Sequence, residues 1–226
     1  MRLLRRQSST GRSFLRTHRR HSLGANVYRF VGSGLMRAGL LFLPRMQVRG
    51  FAVYSQVGKV GLKAFAPVLE GALDLIRGQR PRQFAMVRRY VKRFLLAQSG
   101  GDHFLESIDA HVVSWDWPTS RDPTGLALNI VHEGMHARLA ARGCRLTEES
   151  IGRIEALCVD QEIILAETLP NAPTLVRKLR AALANPWWSV SQARARAETR
   201  LRSVGTPEYL IRIVLLLRFG RARRHR

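Results

Sequence analysis

The chain has 226 residues, of which 46% are apolar and 24% are charged. This composition is typical of a folded globular protein rather than a disordered one. Lysine and arginine together number 38 against 16 acids, so the formal net charge is +22. Two cysteines exclude a disulfide framework and a four-cysteine zinc module. No apolar run reaches the roughly 18–20 residues that a membrane-spanning helix needs.

The charge is unevenly distributed along the chain. Residues 1–100 carry 20 basic residues and only Glu70 and Asp74 as acids, whereas residues 101–170 carry 12 of the 16 acids. Residues 171–226 are again strongly basic. We therefore expect carboxylate or metal chemistry in the middle of the chain and contacts with anionic surfaces in the two basic arms.

The sequence predicts three parts. Residues 1–79 are expected to form a basic, partly ordered extension with short amphipathic helices between 26 and 63, residues 80–218 a domain, and residues 219–226 a basic tail. The first 23 residues are rich in Arg and Ser and contain no acid, which is typical of disordered basic tails and of mitochondrial transit peptides. We expect a cytoplasmic or peripheral membrane protein, or a mitochondrial one if this segment is a transit peptide.

A helix and a short strand are predicted before the two helices of the acidic middle region. From Pro81 to Gln98, apolar residues recur at helical spacing with basic residues largely on the opposite face, which predicts a helix. From Ala110 to Trp115 the chain is β-branched and aromatic, which predicts a short strand. That strand could be an ordinary core strand, or an edge strand that pairs with an extended peptide.

The next helix has clear start and stop signals. Asp122 is a good N-cap, Pro123 suits the first helical position, and Gly143 suits the position just after the helix, which is expected to end near Arg142. A second helix is predicted from about Thr147 to Leu169, and the short link favours antiparallel packing of the two helices.

A candidate metal site lies within the first of these two helices. His132 and His136 are four residues apart, so both imidazoles project from the same face. Two such imidazoles can bind one Zn²⁺ ion, and Glu133 stands beside the first, where it could accept a proton from an activated water. The alternative is a pair of ordinary core or surface histidines.

A zinc site with two histidines requires a third protein ligand, and the second helix is rich in acids. Glu155 and Glu162 are seven residues apart and therefore lie on nearly the same face, with Cys158 between them. Spacing alone leaves both carboxylates open as the third ligand. Cys158 is expected to be a small buried apolar residue, although a thiolate can also bind zinc.

The segment from His132 to His136, followed by Glu155 nineteen residues later, resembles the zinc site of gluzincin metallopeptidases. These include thermolysin-like enzymes and large zinc aminopeptidases, and the longer strings VHEGMHARL and IEALCVDQE resemble small bacterial proteins of this type. The resemblance implies that His132, His136 and Glu155 bind Zn²⁺ and that Glu133 is the general base. Thermolysin-like enzymes carry an Asp four residues after the third ligand. Here that position holds Val159, and Asp160 follows it.

The resemblance also implies metal-assisted hydrolysis of a peptide or protein substrate. Glu133 would accept the proton of the attacking water and deliver it to the leaving amine. Four residues have side chains suited to stabilising the oxyanion, and the sequence does not choose among them: His103, His111, Arg153 and Tyr209.

We therefore expect a mainly helical fold with a small β element, in which an HExxH helix packs against a glutamate-bearing helix in a zincin-like core. The expected function is that of a zinc metallopeptidase. Two alternatives remain: a non-catalytic basic protein that associates with anionic membranes or polyanions, and a relative that binds metal without cleaving anything. No helix-turn-helix, zinc-finger or RNP signature is present, so specific nucleic-acid binding is not expected.

Overall fold

The fold is taken from a computed structural model. It describes residues 37–98, 101–115, 122–147, 149–184, 194, 197–199, 201–202 and 207–219. The first 36 residues of the predicted N-terminal extension and residues 220–226 of the predicted tail lie outside this part of the chain.

A five-stranded mixed sheet is the framework of the described fold. Its strands are β1 (Arg45–Val48), β2 (Phe51–Ser55), β3 (Arg93–Ala97), β4 (His103–Leu105) and β5 (Ala110–Ser114), and their order in the sheet is β1-β2-β3-β5-β4. The β2, β3 and β5 strands run parallel, while β1 and β4 are antiparallel to their neighbours at the two edges.

The β1–β2 connection is a two-residue hairpin. Arg49 and Gly50 both have positive φ angles, 49° and 79°, which is the backbone twist that tight hairpins prefer. The sequence does not readily predict this hairpin, because its first loop residue is Arg where tight hairpins usually have Asn. The prediction of short helices between residues 26 and 63 is therefore wrong for residues 45–55, which are strands.

Two helices cross from β2 to β3. The α1 helix spans Gly58–Gln79 and α2 spans Pro81–Tyr90. The predicted helix over residues 81–98 is thus correct only through Tyr90. Beyond it, residues 94–97 are apolar and buried on both faces of the sheet, a pattern that a central strand shares with a buried helix.

The remaining helices follow the sheet. They are α3 (Pro123–Ala141), α4 (Ile151–Ala166), α5 (Ala172–Ala184) and α6 (Glu208–Phe219). Strand β5 and helices α3 and α4 form close to where the sequence predicts them, and α4 begins four residues and ends three residues inside the predicted limits.

The main hydrophobic core lies between one face of the sheet and the helices. Val53, Phe94 and Val113 from the strands pack in one cluster with Phe65 of α1 and Ile130 of α3. Successive residues of β3 alternate faces, so Leu95 and Ala97 join a smaller cluster on the opposite face. Residues 45–79, assigned to the extension by the sequence analysis, contribute two strands and a long helix to this same core.

The coarse class is therefore confirmed: the protein is mainly helical with a small mixed sheet. Among the described residues, no helix combines the length and the hydropathy needed to cross a membrane.

Candidate metal centre

The HExxH segment is held in the middle of a well-capped helix. The carboxylate of Asp122 accepts hydrogen bonds from the backbone N–H groups of Thr124 and Gly125, at 3.0 and 3.1 Å. At the other end Gly143 adopts a φ of 80°, which the sequence analysis expected of a residue just after the helix. These ends set the limits of α3, and its two histidines face α4.

His132, His136 and Glu155 converge on one point between α3 and α4. The two Nε2 atoms lie 3.1 Å apart. The Oε2 atom of Glu155 lies 3.3 Å from Nε2 of His132, and its Oε1 atom lies 3.5 Å from Nε2 of His136. Because the earlier histidine of α3 also contacts a later residue of α4, Glu162, the two helices run antiparallel.

These separations fit a tetrahedral divalent cation. Ligands bonded at 2.0–2.1 Å in a tetrahedral arrangement lie about 3.3 Å from one another. The side chains of His132, His136 and Glu155 are each 12–14% exposed, so the centre is within reach of solvent. A ligand nitrogen of each histidine and the sulfur of Cys158 also lie within 4.8 Å of one another, so Cys158 stands near the same two histidines.

Glu162 contacts the other ring nitrogen of His132. Its Oε1 is paired with Nδ1, which leaves Nε2 directed toward Glu155 and His136. A carboxylate on the far nitrogen of a ligating histidine fixes its tautomer and ring orientation. Asp160, the acid next to the thermolysin-like position, is exposed, and Val159 is buried.

Glu133 lies on the sheet side of the centre. It is only 5% exposed, and its carboxylate accepts a hydrogen bond from the backbone N–H of Phe104 in β4. Burial raises the pKa of Glu133, and the nearby His136 and His132 partly oppose this. A carboxylate in such a setting accepts a proton more readily than an exposed one.

The two residues that face each other across the centre have opposite pKa shifts. Burial lowers the pKa of His132, but hydrogen bonds to Glu155 and Glu162 and the charge of Glu133 outweigh it and raise the pKa to about 10. Burial raises the pKa of Glu155, but hydrogen bonds to both histidines outweigh it and lower the pKa to about 2. Without a cation, the centre therefore holds a proton on His132.

The strand expected at residues 110–115 is confirmed as β5, but its role as an edge strand is wrong. It lies between β3 and β4: all five of its residues pair with β3, and the first three also pair with β4. Strand β4 occupies the edge instead, and its Phe104 contacts Glu133. The short sequence from His103 to Leu105 gives too weak a signal to predict a strand there.

The four oxyanion candidates have very different surroundings. His111 is fully buried and tilted against Phe94, and burial lowers its pKa to about 3, so its imidazole is neutral. Tyr209 is 65% exposed. His103 is exposed with its Nδ1 3.1 Å from the carbonyl oxygen of Gly101, and Arg153 is exposed on α4. The geometry does not single out one of them.

Comparison with known proteins does not assign the chain to a family. No family model matches the chain, and searches of curated proteins and of solved structures gave no significant match.

Proposed function

We propose that the protein is a zinc-dependent hydrolase of peptide bonds, with the α3–α4 pair as a zincin-like core. The observation that supports this most directly is the convergence of His132, His136 and Glu155 at separations suited to one tetrahedral cation. Glu133, buried beside the first histidine, supplies the base that hydrolysis requires.

Each residue of the centre has a separate task in this proposal. A bound zinc ion would polarise the scissile carbonyl and lower the pKa of the attacking water. His132, His136 and Glu155 would hold the cation, and Glu162 keeps His132 in the orientation that presents Nε2. Glu133 accepts the proton of the water and later delivers it to the leaving amine.

The edge strand suggests where a substrate would lie. Within the described part of the chain, strand β4 pairs with β5 alone, and the backbone N–H of Phe104 connects it to Glu133. An extended peptide added to this edge would run past the proposed base. We therefore propose an extended peptide or a flexible protein segment as the substrate.

Replacing the proposed base tests this function. Glu133→Gln keeps the shape of the side chain and removes its ability to accept a proton. Cleavage of a peptide library by the zinc-loaded protein should fall by roughly 10²–10⁴-fold, while zinc content measured by elemental analysis should stay at one ion per chain. Asp160→Asn, an exposed change on α4, is the control and should cleave normally.

The proposed activity would be contradicted if the zinc-loaded protein cleaved no peptide in such a library. Equal cleavage by Glu133→Gln and wild type would instead show that Glu133 is not the general base.

A second function, association with an anionic membrane surface, is favoured by the apolar surface of α6. Tyr209, Ile213 and Leu216 are 45–65% exposed, and Arg212 lies among them. Apolar side chains beside basic ones on a helix are typical of binding at an anionic lipid surface. Sedimentation with vesicles containing phosphatidylserine should be salt-sensitive and unaffected by His136→Ala, whereas equal binding to neutral vesicles would contradict an electrostatic contribution.

A further inference from the structure

Cys158 is a buried thiol beside the metal centre that the proposed hydrolytic function does not use. It is 0% exposed and lies on the face of α4 that carries Glu155 and Glu162, three residues after one and four before the other. Its sulfur and a nitrogen of each histidine lie within 4.8 Å of one another. The sulfur is therefore close to the position that the cation would occupy.

The distances are compatible with direct coordination. A sulfur bonded to zinc at 2.3 Å and a nitrogen bonded at 2.0–2.1 Å lie about 3.6 Å apart around a tetrahedral ion. The Cys158 sulfur lies within 4.8 Å of a nitrogen of each histidine, so reaching that separation requires an approach of at most about 1.2 Å. Together with His132, His136 and Glu155, it would complete four protein ligands.

We propose that Cys158 is the fourth protein ligand of the metal ion in the resting protein, so that the centre is closed until the sulfur withdraws. This rests on the proposed function, which requires the fourth position for water. Zinc sites with four protein ligands are structural, and those that keep one position open are catalytic. A ligand that can leave would therefore regulate the same centre.

The binding step balances simply. The thiol of Cys158 loses one proton to solvent as its sulfur bonds to the divalent cation, and His132 loses the proton that it holds in the metal-free centre, so two protons leave as the ion binds. Opening is the reverse: the sulfur takes back a proton and water occupies the vacated position. Burial and the neighbouring carboxylates raise the pKa of the Cys158 thiol, so the sulfur keeps its proton when no cation is present.

The chain offers a matched control, because its only other cysteine is Cys144, half-buried in the link between α3 and α4. The experiment loads Co²⁺ into the full-length Cys144→Ser protein, in which Cys158 is the only thiol. Thiolate ligation produces a strong sulfur-to-cobalt charge-transfer band in the near ultraviolet, whereas histidine and carboxylate ligands give only weak visible bands. We expect the strong band in Cys144→Ser and its loss in Cys158→Ser.

The visible cobalt bands without the charge-transfer band in Cys144→Ser would overturn the proposal, and so would a failure of that protein to bind Co²⁺. The Cys144→Ser spectrum is sufficient by itself if Cys158→Ser does not fold. A second expected result is faster peptide cleavage per bound zinc in Cys158→Ala than in wild type.

This test separates the two proposals. A charge-transfer band together with no cleavage by any variant would support Cys158 as a ligand and remove the hydrolytic function. Cleavage that depends on Glu133, without the band, would remove the thiolate ligand and leave the hydrolytic function in place.

Discussion

Glu155 and Glu162 are the same residue type on the same helix face, and they contact His132 at different atoms. Glu155 approaches Nε2, and Glu162 pairs with Nδ1. The seven-residue spacing indicates that both carboxylates face α3. It does not indicate which nitrogen each one meets, because that depends on the rotation of the imidazole and on the offset between α3 and α4.

The structure therefore predicts different consequences for two similar substitutions. Glu162→Gln should weaken zinc binding by about 10–100-fold, because an amide orients His132 less strongly and makes its other nitrogen a poorer ligand. Competition with a chromogenic chelator measures this change. Asp160→Asn is the control and should bind zinc as wild type does.

Unchanged zinc affinity in Glu162→Gln would mean that its contact with His132 does not orient the ligand. If Glu162→Gln loses its zinc completely and Glu155→Gln keeps it, then Glu162 is the third metal ligand and Glu155 is not.

At the scale of elements, α3 is fixed by its caps and by a close approach of α2. Gly134, inside the HExxH segment, has no space for a side chain: a Cβ built there would lie 2.9 Å from Cγ2 of Val87. Val87 is buried in the main core, and Gly134 is buried on α3. Packing against Val87 therefore explains the glycine at position 134.

Gly134→Ala should lower the free energy of unfolding by about 1–3 kcal/mol, the usual cost of overpacking a tight core contact. Gly152→Ala is a matched control, because Gly152 lies in α4 and a Cβ there meets nothing within 4 Å. That control should be neutral or stabilising by about 0.5–1 kcal/mol, since alanine favours a helix. Urea unfolding of the two metal-free variants measures both effects, and a neutral Gly134→Ala would contradict the packing argument.

At the scale of the whole molecule, the metal centre connects the sheet to the helical layer. Glu133 contacts β4 through Phe104, and His132 contacts α4 through two carboxylates. A cation that binds only the folded arrangement stabilises the whole fold by mass action. Removing it should therefore lower the midpoint of thermal unfolding.

The size of this stabilisation should depend on pH. In the metal-free fold the pKa of His132 is raised from 6.5 to about 10, so its protonation stabilises that fold below pH 6.5 and this contribution is lost as the pH rises toward 10. A cation competes with this proton. The gain in unfolding temperature at a fixed zinc concentration should therefore increase between pH 6.5 and 9.

Differential scanning fluorimetry of zinc-loaded and chelator-treated protein across this pH range measures the gain. His132→Ala is the control and should show little gain at any pH. A gain that shrinks as the pH rises would contradict proton competition at His132.

Much of the helical part of the centre was predictable from the sequence. Asp122, Pro123 and Gly143 delimit α3 by local chemistry, and the four-residue spacing of His132 and His136 places both on one face. These signals depend on neighbours along the chain, so they are visible without the fold. The strand at residues 110–114 was predictable for the same reason, from its own β-branched residues.

Only the tertiary structure decided the rest. Residues 94–97 form an apolar run after α2, and their assignment to β3 depends on pairing with β2 and β5 on either side and on the two clusters that cover the faces of the sheet. The edge position of β4, the separate contacts of Glu155 and Glu162, and the nearness of Cys158 to both histidines all depend on how distant segments pack. Local sequence determines which residues a helix presents on one face, whereas the atoms that meet across two elements are set by long-range packing, which no local pattern encodes.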